Sequence, residues 1–200
     1  MKKVFIDGSA GTTGLRIFDR LHRRTDIQLL TLPESERKLE ASRKKVLNEA
    51  DVVFLCLPDD AACEAALWVE NPDTVVLDTS TAHRTAPGWC YGFPELSPVQ
   101  EARLRQAKRI AVPGCHASGF IALVYPLVSA GLLTPDALLS CYSLTGYSGG
   151  GKKMIAEYRA PERSFLLNAP RQYALGQTHK HLKEICLLYT SPSPRDVEES

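Results

Sequence analysis

The sequence KVFIDGSAGTTGLRIFDRL, residues 3–21, decides the fold that we predict for this chain. Its first five residues form a strand-length apolar run, and apolar residues recur at helical spacing over 15–21. Between them stands the pattern G-x-x-G-x-x-G. A strand, a glycine-rich turn and a helix form a dinucleotide-binding unit, because glycines let the backbone approach a pyrophosphate and the helix N-terminus offers it N–H groups. The predicted dinucleotide-binding residues are Gly8, Ser9, Ala10, Gly11, Thr12, Thr13 and Gly14. A glycine-rich turn without a ligand is the alternative.

Three more apolar runs, at 27–31, 51–57 and 74–78, alternate with segments of helical pattern. Repeated strand–helix units with continuously apolar strands are typical of a parallel sheet that helices cover on both faces. We therefore predict an α/β fold for residues 1–115, with a Rossmann-type doubly wound parallel sheet. The ligand of such a sheet binds beyond the C-terminal ends of the strands. The segments expected to meet at this site are 8–14, 56–59, 79–84 and Cys115.

The composition excludes several classes of function. A formal net charge of +1 over 200 residues gives no support for binding to nucleic acid or to a membrane surface. No apolar run approaches membrane-spanning length, and the opening MKK leads into only a strand-length apolar run, so we expect no signal peptide. The six cysteines form no CxxC pair, which favours a cytoplasmic protein with free thiols and no structural metal.

Cys115 is the candidate nucleophile. It follows an apolar run at 110–112 and the helix-breaking pair Pro113-Gly114, and an apolar helical pattern continues after it. At a helix N-terminus, unpaired amides and the positive end of the dipole favour a thiolate, which can attack a carbonyl. The same amides can hold the resulting oxyanion. A small buried core cysteine is the alternative.

The segment at 32–38 follows the second strand and should lie beside the adenosine ribose of the dinucleotide. A basic residue there accepts a 2′-phosphate, whereas an acidic residue reads a free 2′-hydroxyl. Ser35, Arg37 and Lys38 favour the phosphate, and hence NADP as the cofactor, while Glu34 and Glu36 argue against it. A solvated charge run that opens the next helix is the alternative.

A long loop follows the strand at 74–78 and extends to about residue 96, and loops of this length are usually functional or mobile. Arg84 in this loop is the candidate anchor for a substrate carboxylate or phosphate, because a guanidinium binds such groups bidentately. A surface arginine is the alternative. The following SPVQ, residues 97–100, predicts a helix start with Ser97 as the N-cap.

The sequence pattern changes after Cys115, near which we place a domain boundary. Residues 138–145 alternate between apolar and polar, as in a strand with one buried face. A second glycine-rich, basic loop follows at 146–153 and could hold a cofactor phosphate through Ser148, Gly149 and Gly150, although a flexible linker is the alternative.

His179, His181 and Glu184 come close together near the end of the chain. The spacing of the two histidines could suit a metal, but no further ligand cluster supports one. A catalytic base for Cys115 is therefore the better interpretation.

These motifs resemble those of a known family, the N-acetyl-gamma-glutamyl-phosphate reductases of arginine biosynthesis in their shorter subtype, which are relatives of the aspartate-semialdehyde dehydrogenases. The resemblance covers the chain from its start to about residue 185. It rests on the segments GSAGTTG (8–14), DTSTAHR (78–84), FPEL (93–96), PGCHASG (113–119), SGGGK (148–152) and HKH (179–181).

The resemblance implies NADPH-dependent reduction of N-acetyl-gamma-glutamyl phosphate to the semialdehyde, with release of phosphate. Cys115 would attack this acyl phosphate to form a thioester, and His181 would act as acid and base with Glu184 orienting its ring. His179 is the alternative acid and base, and with Arg84 it is a candidate substrate-binding residue. In the family a proline precedes the glutamate, and here that residue is Lys183. The implied partners are the small-molecule acyl phosphate and, for a full-length chain, further copies in a homo-oligomer.

The last residues, 187–200 (LLYTSPSPRDVEES), match nothing in the family, whose members are substantially longer. We predict that 116–186 is an incomplete α+β substrate and catalytic domain with exposed apolar surface. We expect 187–200 to be a disordered, non-native tail. Three other functions stay open: a cysteine hydrolase, a non-catalytic dinucleotide-binding module, and a reductase that acts on aspartyl phosphate.

Overall fold

The computed structural model describes residues 1–173, 176 and 178–189. The chain divides into two compact units, Met1–Ser118 and Gly119–Ser200. The boundary falls three residues after Cys115, inside a helix that both units share.

A six-stranded sheet forms the first unit. Its strands are β1 (Lys2–Asp7), β2 (Ile27–Leu30), β3 (Val52–Leu55), β4 (Val75–Asp78), β5 (Cys90–Tyr91) and β6 (Arg109–Ala111). They lie in the order β2-β1-β3-β4-β6-β5, and every neighbouring pair is parallel. The C-terminal ends of the strands therefore share one edge of the sheet, and the predicted Rossmann-type parallel sheet is confirmed. The two-residue strand β5 lies within the segment expected to be a loop.

Helices connect the strands and continue into the second unit. Those described are α1 (Thr12–Leu21), α2 (Glu40–Glu49), α3 (Asp59–Leu67), α4 (Pro98–Gln106), α5 (Cys115–Ser129), α6 (Gly151–Arg159) and α7 (His181–Tyr189). Helix α4 begins as the sequence predicts, because the Ser97 Oγ accepts a hydrogen bond from the Gln100 N–H at 3.1 Å.

The apolar core lies where α2 and α3 cover the sheet. Leu47 of α2 and Ala65 of α3 pack in one cluster with Val53, Leu55 and Val76 of the strands, and all five are fully buried. Burial of each larger apolar side chain contributes about 1.5–3 kcal/mol. The three apolar residues of β1 at 4–6 are buried whichever face they point to, as expected for a parallel sheet that helices cover on both faces.

The topology locates the crevice in which a ligand of this fold binds. Strand β1 pairs with β2 on one side and with β3 on the other, so the winding direction of the chain reverses between β1 and β3. Ligands of open parallel sheets bind beyond the C-terminal ends of the strands at such a reversal. The glycine-rich turn follows β1 at this point.

The strand that we predicted over 138–145 is wrong for the described residues, where the segment has no regular structure. A strand needs a neighbour for its backbone groups, and no residue in the described part of the chain pairs with this segment. Leu138, Tyr142 and Leu144 are more than 80% exposed. Within 119–186, the buried residues among those described are Ile121 and Glu184, so the predicted exposure of apolar side chains in this region is confirmed.

The end of the chain differs from the prediction in one respect. Helix α7 continues to Tyr189, so residues 187–189, expected to be disordered, are helical. The apolar letters LLY extend the helical pattern that starts in 181–186, which explains the continuation. The rest of the predicted tail, 190–200, lies outside the described residues.

Candidate functional site

The glycine-rich turn after β1 has the close backbone packing that a dinucleotide cradle needs. Gly8 has φ +86°, and a Cβ there would lie 2.8 Å from the carbonyl carbon of Cys56 and closer still to its oxygen. A Cβ on Gly14 would lie 2.8 Å from the Ser9 Cα and would collide with the Gly8 carbonyl oxygen. Side chains are therefore excluded at both positions. The turn closes with a 2.9 Å hydrogen bond from the Gly11 N–H to the Gly8 oxygen.

Helix α1 begins at Thr12, directly after the first two glycines of this turn. The N-cap residue, Gly11, supplies no side-chain cap, and the first turn of α1 holds no acidic residue. A helix start without a competing carboxylate offers its N–H groups and dipole to an external anion. The residues at this turn fit the pyrophosphate of a dinucleotide.

A buried ion pair supports the start of the turn. Asp7, the last residue of β1, accepts hydrogen bonds from Arg43 of α2, from Nη2 at 2.8 Å and from Nε at 3.2 Å. The guanidinium of Arg43 also stacks over the Trp68 ring, 4.7 Å from its centroid. Arg43 was not among the predicted residues, because nothing in the local sequence pattern relates it to Asp7, 36 residues away.

Ser35 and Arg37 lie in a series of turns at the end of β2, on the same sheet edge as the glycine turn. Both side chains are exposed, and the Arg37 Nε donates to the Leu32 carbonyl at 3.2 Å. The predicted adenosine-side residues and the glycine turn are thus brought to one edge of the sheet.

Cys56 follows β3 and lies beneath the glycine turn. Its N–H donates to the Asp7 carbonyl at 2.8 Å. Burial raises the pKa of its thiol from the usual 9.0 to about 11, with the carboxylates of Asp7 and Asp78 adding to the shift. Cys56 is therefore a neutral thiol near pH 7 and a poor nucleophile.

Cys115 is exposed and is the first residue of α5, so the alternative of a buried core cysteine is wrong. The turn before it is held at two points. The Val112 N–H donates to the Asp78 carbonyl at 2.8 Å, and the Gly114 carbonyl accepts from both the N–H and the Oγ of Ser118, at 2.8 and 2.9 Å. An exposed thiol thus stands on an ordered helix start at the C-terminal edge of the sheet.

The loop after β4 is ordered by a buried carboxylate. Asp78 is fully buried, and its Oδ2 accepts from the His83 Nδ1 and from the Ser80 Oγ, both at 2.6 Å. The His83 ring stacks on Trp89 with 3.9 Å between the centroids. Arg84, the predicted substrate anchor, follows next in this loop. Its Nε donates to the Val112 carbonyl at 3.0 Å and its Nη2 to the Thr79 carbonyl at 3.3 Å.

The second unit contains the other predicted site residues. Ser148, Gly149 and Gly150 are exposed and belong to a 3₁₀ turn, Tyr147–Gly150, that leads directly into α6. Next to it, the rings of Tyr147 and Tyr158 stack with 4.9 Å between their centroids. The predicted loop over 146–153 is therefore shorter in the structure, since residues 151–153 already belong to α6.

His179, His181 and Glu184 lie at the start of α7. The His181 N–H donates to the Nδ1 of His179 at 3.2 Å, and the two rings meet edge to face at 4.4 Å. This hydrogen bond requires the His179 tautomer that accepts at Nδ1. Glu184 lies three residues after His181 on the same helix and is buried.

The predicted site residues are divided between the two units. The first brings the glycine turn, Ser35, Arg37, Arg84 and Cys115 to one sheet edge. Ser148–Gly150 and the histidine segment belong to the second unit. In the part of the chain that the structure describes, no three metal-ligating side chains are grouped so that they could hold a metal ion. Across those same residues, no helix is long and apolar enough to span a membrane.

Comparisons with known proteins agree with this arrangement. The family model of the semialdehyde dehydrogenase NAD-binding domain matches residues 3–104, and that of the semialdehyde dehydrogenase dimerisation domain matches residues 115–197. Among solved structures, aspartate semialdehyde dehydrogenase II of Vibrio cholerae, complexed with ASA, superposes with a TM-score of 0.65. The match covers 95% of this chain and 66% of that one at 16% identity, and it supports the fold alone.

Curated relatives are closer in sequence. An N-acetyl-gamma-glutamyl-phosphate reductase 2 of Pseudomonas putida is 50% identical over 91% of this chain, and the N-acetyl-gamma-glutamyl-phosphate reductase of Rhizobium meliloti is 46% identical over 92%. The chain spans 58% and 60% of the length of these two relatives. Since the NAD-binding family model alone matches more than half of the residues, the chain belongs to the semialdehyde dehydrogenase family.

Proposed function

We propose that this protein reduces N-acetyl-gamma-glutamyl phosphate to N-acetylglutamate 5-semialdehyde and phosphate, with NADPH as the reductant. The observation that carries the proposal is the exposed Cys115 at the start of α5, on the same sheet edge as the glycine turn. The relatives at 46–50% identity bear the name of this reductase. Because the chain spans less than two thirds of their length, the activity and the substrate are proposals for this chain.

The cofactor proposed is NADP, within the NAD-binding class of the matched domain. The glycine turn would hold the pyrophosphate through backbone N–H groups, and Ser35 and Arg37 would contact a 2′-phosphate on the ribose. We also propose that Ser148, Gly149 and Gly150 contact a cofactor phosphate through their backbone. When bound, the reduced cofactor supplies the hydride for the reaction.

Cys115 would begin the reaction as a nucleophile. Its thiolate sulfur bonds to the acyl carbon of the substrate, the bond from that carbon to the phosphate oxygen breaks, and phosphate leaves with the electron pair. The product is a thioester on Cys115. The first amides of α5 would stabilise the oxyanion that forms on the acyl oxygen during the attack.

His181 would then act as the acid and base. Once the thioester carbon is reduced, His181 would protonate the oxyanion that results. It would take this proton back as the bond between that carbon and the Cys115 sulfur breaks, which releases the aldehyde and returns Cys115 as a thiolate. Glu184 would orient the ring of His181. Arg84 and His179 are the proposed substrate-binding residues; the guanidinium of Arg84 lies beside the carbonyl of Val112, three residues before the thiol.

The experiment that tests the proposal runs the reaction in reverse. Purified protein is given NADP, phosphate and N-acetylglutamate semialdehyde, and formation of NADPH is followed at 340 nm. Aspartate semialdehyde in a parallel assay separates the two acyl-phosphate substrates. We expect oxidation that requires phosphate and prefers the N-acetylglutamate substrate. Cys115→Ser should abolish it and leave NADPH binding intact, and turnover by that variant close to the parent's would refute the nucleophile.

A non-catalytic dinucleotide-binding module is the second candidate function. The observation that favours it is the exposure of the second unit, in which Ile121 and Glu184 are the buried residues among those described in 119–186. NADPH binding without any phosphate-dependent turnover would support this candidate. For the reductase we also propose a cytoplasmic location and a homo-oligomer, in line with the dimerisation-domain match.

A further inference from the structure

We propose that Asp78, His83 and Arg84 form a brace that positions the turn carrying Cys115. The inference rests on the proposed function only in taking Cys115 as the nucleophile. In this role the three are positioning residues, since they act on the thiol through the backbone of Val112, three residues before it. All of them lie in the first unit, Met1–Ser118.

Asp78 is the fixed end of the brace. It is the last residue of β4, pairs with Ala111 at the end of β6, and is fully buried. A buried carboxylate is stable only when donors satisfy it. Oδ1 accepts from the Ser80 N–H at 2.9 Å, and Oδ2 accepts from the Ser80 Oγ and the His83 Nδ1. These donors all come from the five residues after Asp78, so the loop is folded back over its own carboxylate.

His83 is the middle of the brace. One side of its ring is bonded to Asp78 through Nδ1, and one face is stacked on Trp89. The loop is tied a second time through Thr81, whose N–H and Oγ1 donate to the two carboxylate oxygens of Asp59 at 2.9 and 2.6 Å. These contacts fix the backbone at His83, and they therefore also fix the position of the Arg84 Cα.

Arg84 connects the loop to the turn. Its guanidinium bridges the Thr79 carbonyl, within its own loop, and the Val112 carbonyl, after β6. The N–H of the same Val112 donates to the Asp78 carbonyl at 2.8 Å. The backbone groups on both sides of the Val112 Cα are therefore held by the loop after β4. Val112 is followed only by Pro113 and Gly114 before Cys115, so little freedom remains in the chain between the brace and the thiol.

The opposite side of the turn is closed by Gly92. Its N–H donates to the Ala111 carbonyl at 2.8 Å. A Cβ on Gly92 would lie 2.9 Å from that carbonyl oxygen and 3.4 Å from the Pro113 Cδ. The end of β6 thus lies between Gly92 on one side and the brace on the other. The turn can shift only if Gly92 or the brace moves as well.

Alkylation of Cys115 tests the brace without turnover. Full-length protein is treated with iodoacetamide, and the modification rate of Cys115 is measured by mass spectrometry relative to exposed Cys63 in the same molecule. In Arg84→Met, we expect the relative rate to fall by about two- to fivefold, the size of a helix-terminus effect on a charged group, because the first turn of α5 loses its support. Arg84→Lys keeps the charge but carries all its donors on one nitrogen, whereas Arg84 reaches the Val112 and Thr79 carbonyls from two separate nitrogens, Nε and Nη2. We therefore expect the relative rate in Arg84→Lys to fall nearly as far.

Arg109→Met is the matched control. Arg109 lies on the same β6 strand, at its other end, and likewise donates to backbone carbonyls, those of Val69 and Thr74 at 3.0 and 3.2 Å. Its loss should lower stability without changing the relative rate at Cys115. His83→Asn keeps a donor near the position of Nδ1 and should restore most of the rate that His83→Ala loses.

Several outcomes would overturn the brace: a parent-like rate in Arg84→Met or in Arg84→Lys, an equal fall in Arg109→Met, or no difference between His83→Asn and His83→Ala. The proposed function fails separately. A parent protein with the expected alkylation pattern but no phosphate-dependent turnover would refute the reductase and leave the brace standing.

Discussion

Replacing Gly8 by alanine tests the glycine turn most directly. Gly8 has φ +86°, a conformation that costs an alanine roughly 1–2 kcal/mol. Its new Cβ would lie 2.8 Å from the carbonyl carbon of Cys56, and since ordinary contact begins at 3.4 Å, backbone must move by at least about half an ångström. Such overpacking costs about 1–3 kcal/mol. We expect Gly8→Ala to lower the free energy of unfolding by about 2–5 kcal/mol and to weaken NADPH binding by about tenfold or more.

Three further glycines separate the two contributions. Gly88 has φ +80° and nothing within 4 Å of its Cβ position. Gly88→Ala should therefore lower the free energy of unfolding through the backbone conformation alone, by about 1–2 kcal/mol. Gly14 and Gly119 are both helical. A Cβ on Gly14 would collide with the backbone of Gly8, whereas a Cβ on Gly119 would meet nothing within 4 Å. Gly14→Ala should destabilise by about 1–3 kcal/mol, and Gly119→Ala should stabilise by about 0.5–1 kcal/mol.

Urea unfolding followed by circular dichroism gives the free energies of unfolding, and titration calorimetry gives the NADPH affinities. We expect Gly8→Ala to lose more unfolding free energy and more NADPH affinity than Gly88→Ala. If the two variants unfolded at the same urea midpoint and bound NADPH equally well, close backbone approach would not be what these glycines provide. A Gly14→Ala variant as stable as Gly119→Ala would likewise show that close backbone approach is not what Gly14 provides.

Three further predictions concern other parts of the first unit. Arg37→Ala should weaken NADPH binding by roughly 1–3 kcal/mol more than NADH binding, because the proposed charged hydrogen bond to the 2′-phosphate would be lost, and calorimetry with both cofactors checks this. The pKa of Cys56 is about 11 in the folded protein against the usual 9.0, so the thiol ionises first in the unfolded chain. The free energy of unfolding should therefore be at its full value below pH 9 and fall by up to about 3 kcal/mol as the pH rises towards 11. Urea unfolding between about pH 8 and 11 checks this, with a shallower decline expected in Cys56→Ala. Asn48→Ala should cost about 2–4 kcal/mol of unfolding free energy, because the side chain donates to the Trp68 and Lys44 carbonyls at 2.8 and 2.9 Å and accepts from the N–H groups of Glu70 and Asn71. Asn48→Asp keeps the acceptor but places a carboxylate oxygen against those two carbonyls, so it should also lose stability in the same urea assay.

Local patterns predicted the features that span about twenty residues or fewer. The strand, glycine turn and helix of 3–21 are all found, because periodicity and turn chemistry act over that length. The N-cap at Ser97 and the helix start at Cys115 followed from single residues at defined positions. The common sheet edge followed from the rule that ligands of parallel sheets bind beyond the C-terminal strand ends.

The strand predicted over 138–145 shows where such patterns fail. The alternation of apolar and polar residues predicts only that one face would be buried. A strand also needs neighbouring strands that hydrogen-bond to its edges. No described residue supplies them, and the segment is exposed without regular structure. Strand β5 was not predicted but is present. Two residues are too few to show a periodic pattern, and this strand forms because β6 lies beside it and pairs with it.

By itself, the sequence determined the Rossmann-type sheet, the glycine turn and the position of Cys115 at a helix start, since each is encoded by neighbouring residues. Only the tertiary structure decided which distant groups meet. Arg43 pairs with Asp7, Arg84 reaches the Val112 carbonyl 28 residues on, and burial leaves Cys56 a neutral thiol while Cys115 is exposed. These contacts depend on strand order and register, which bring together residues that no local pattern relates.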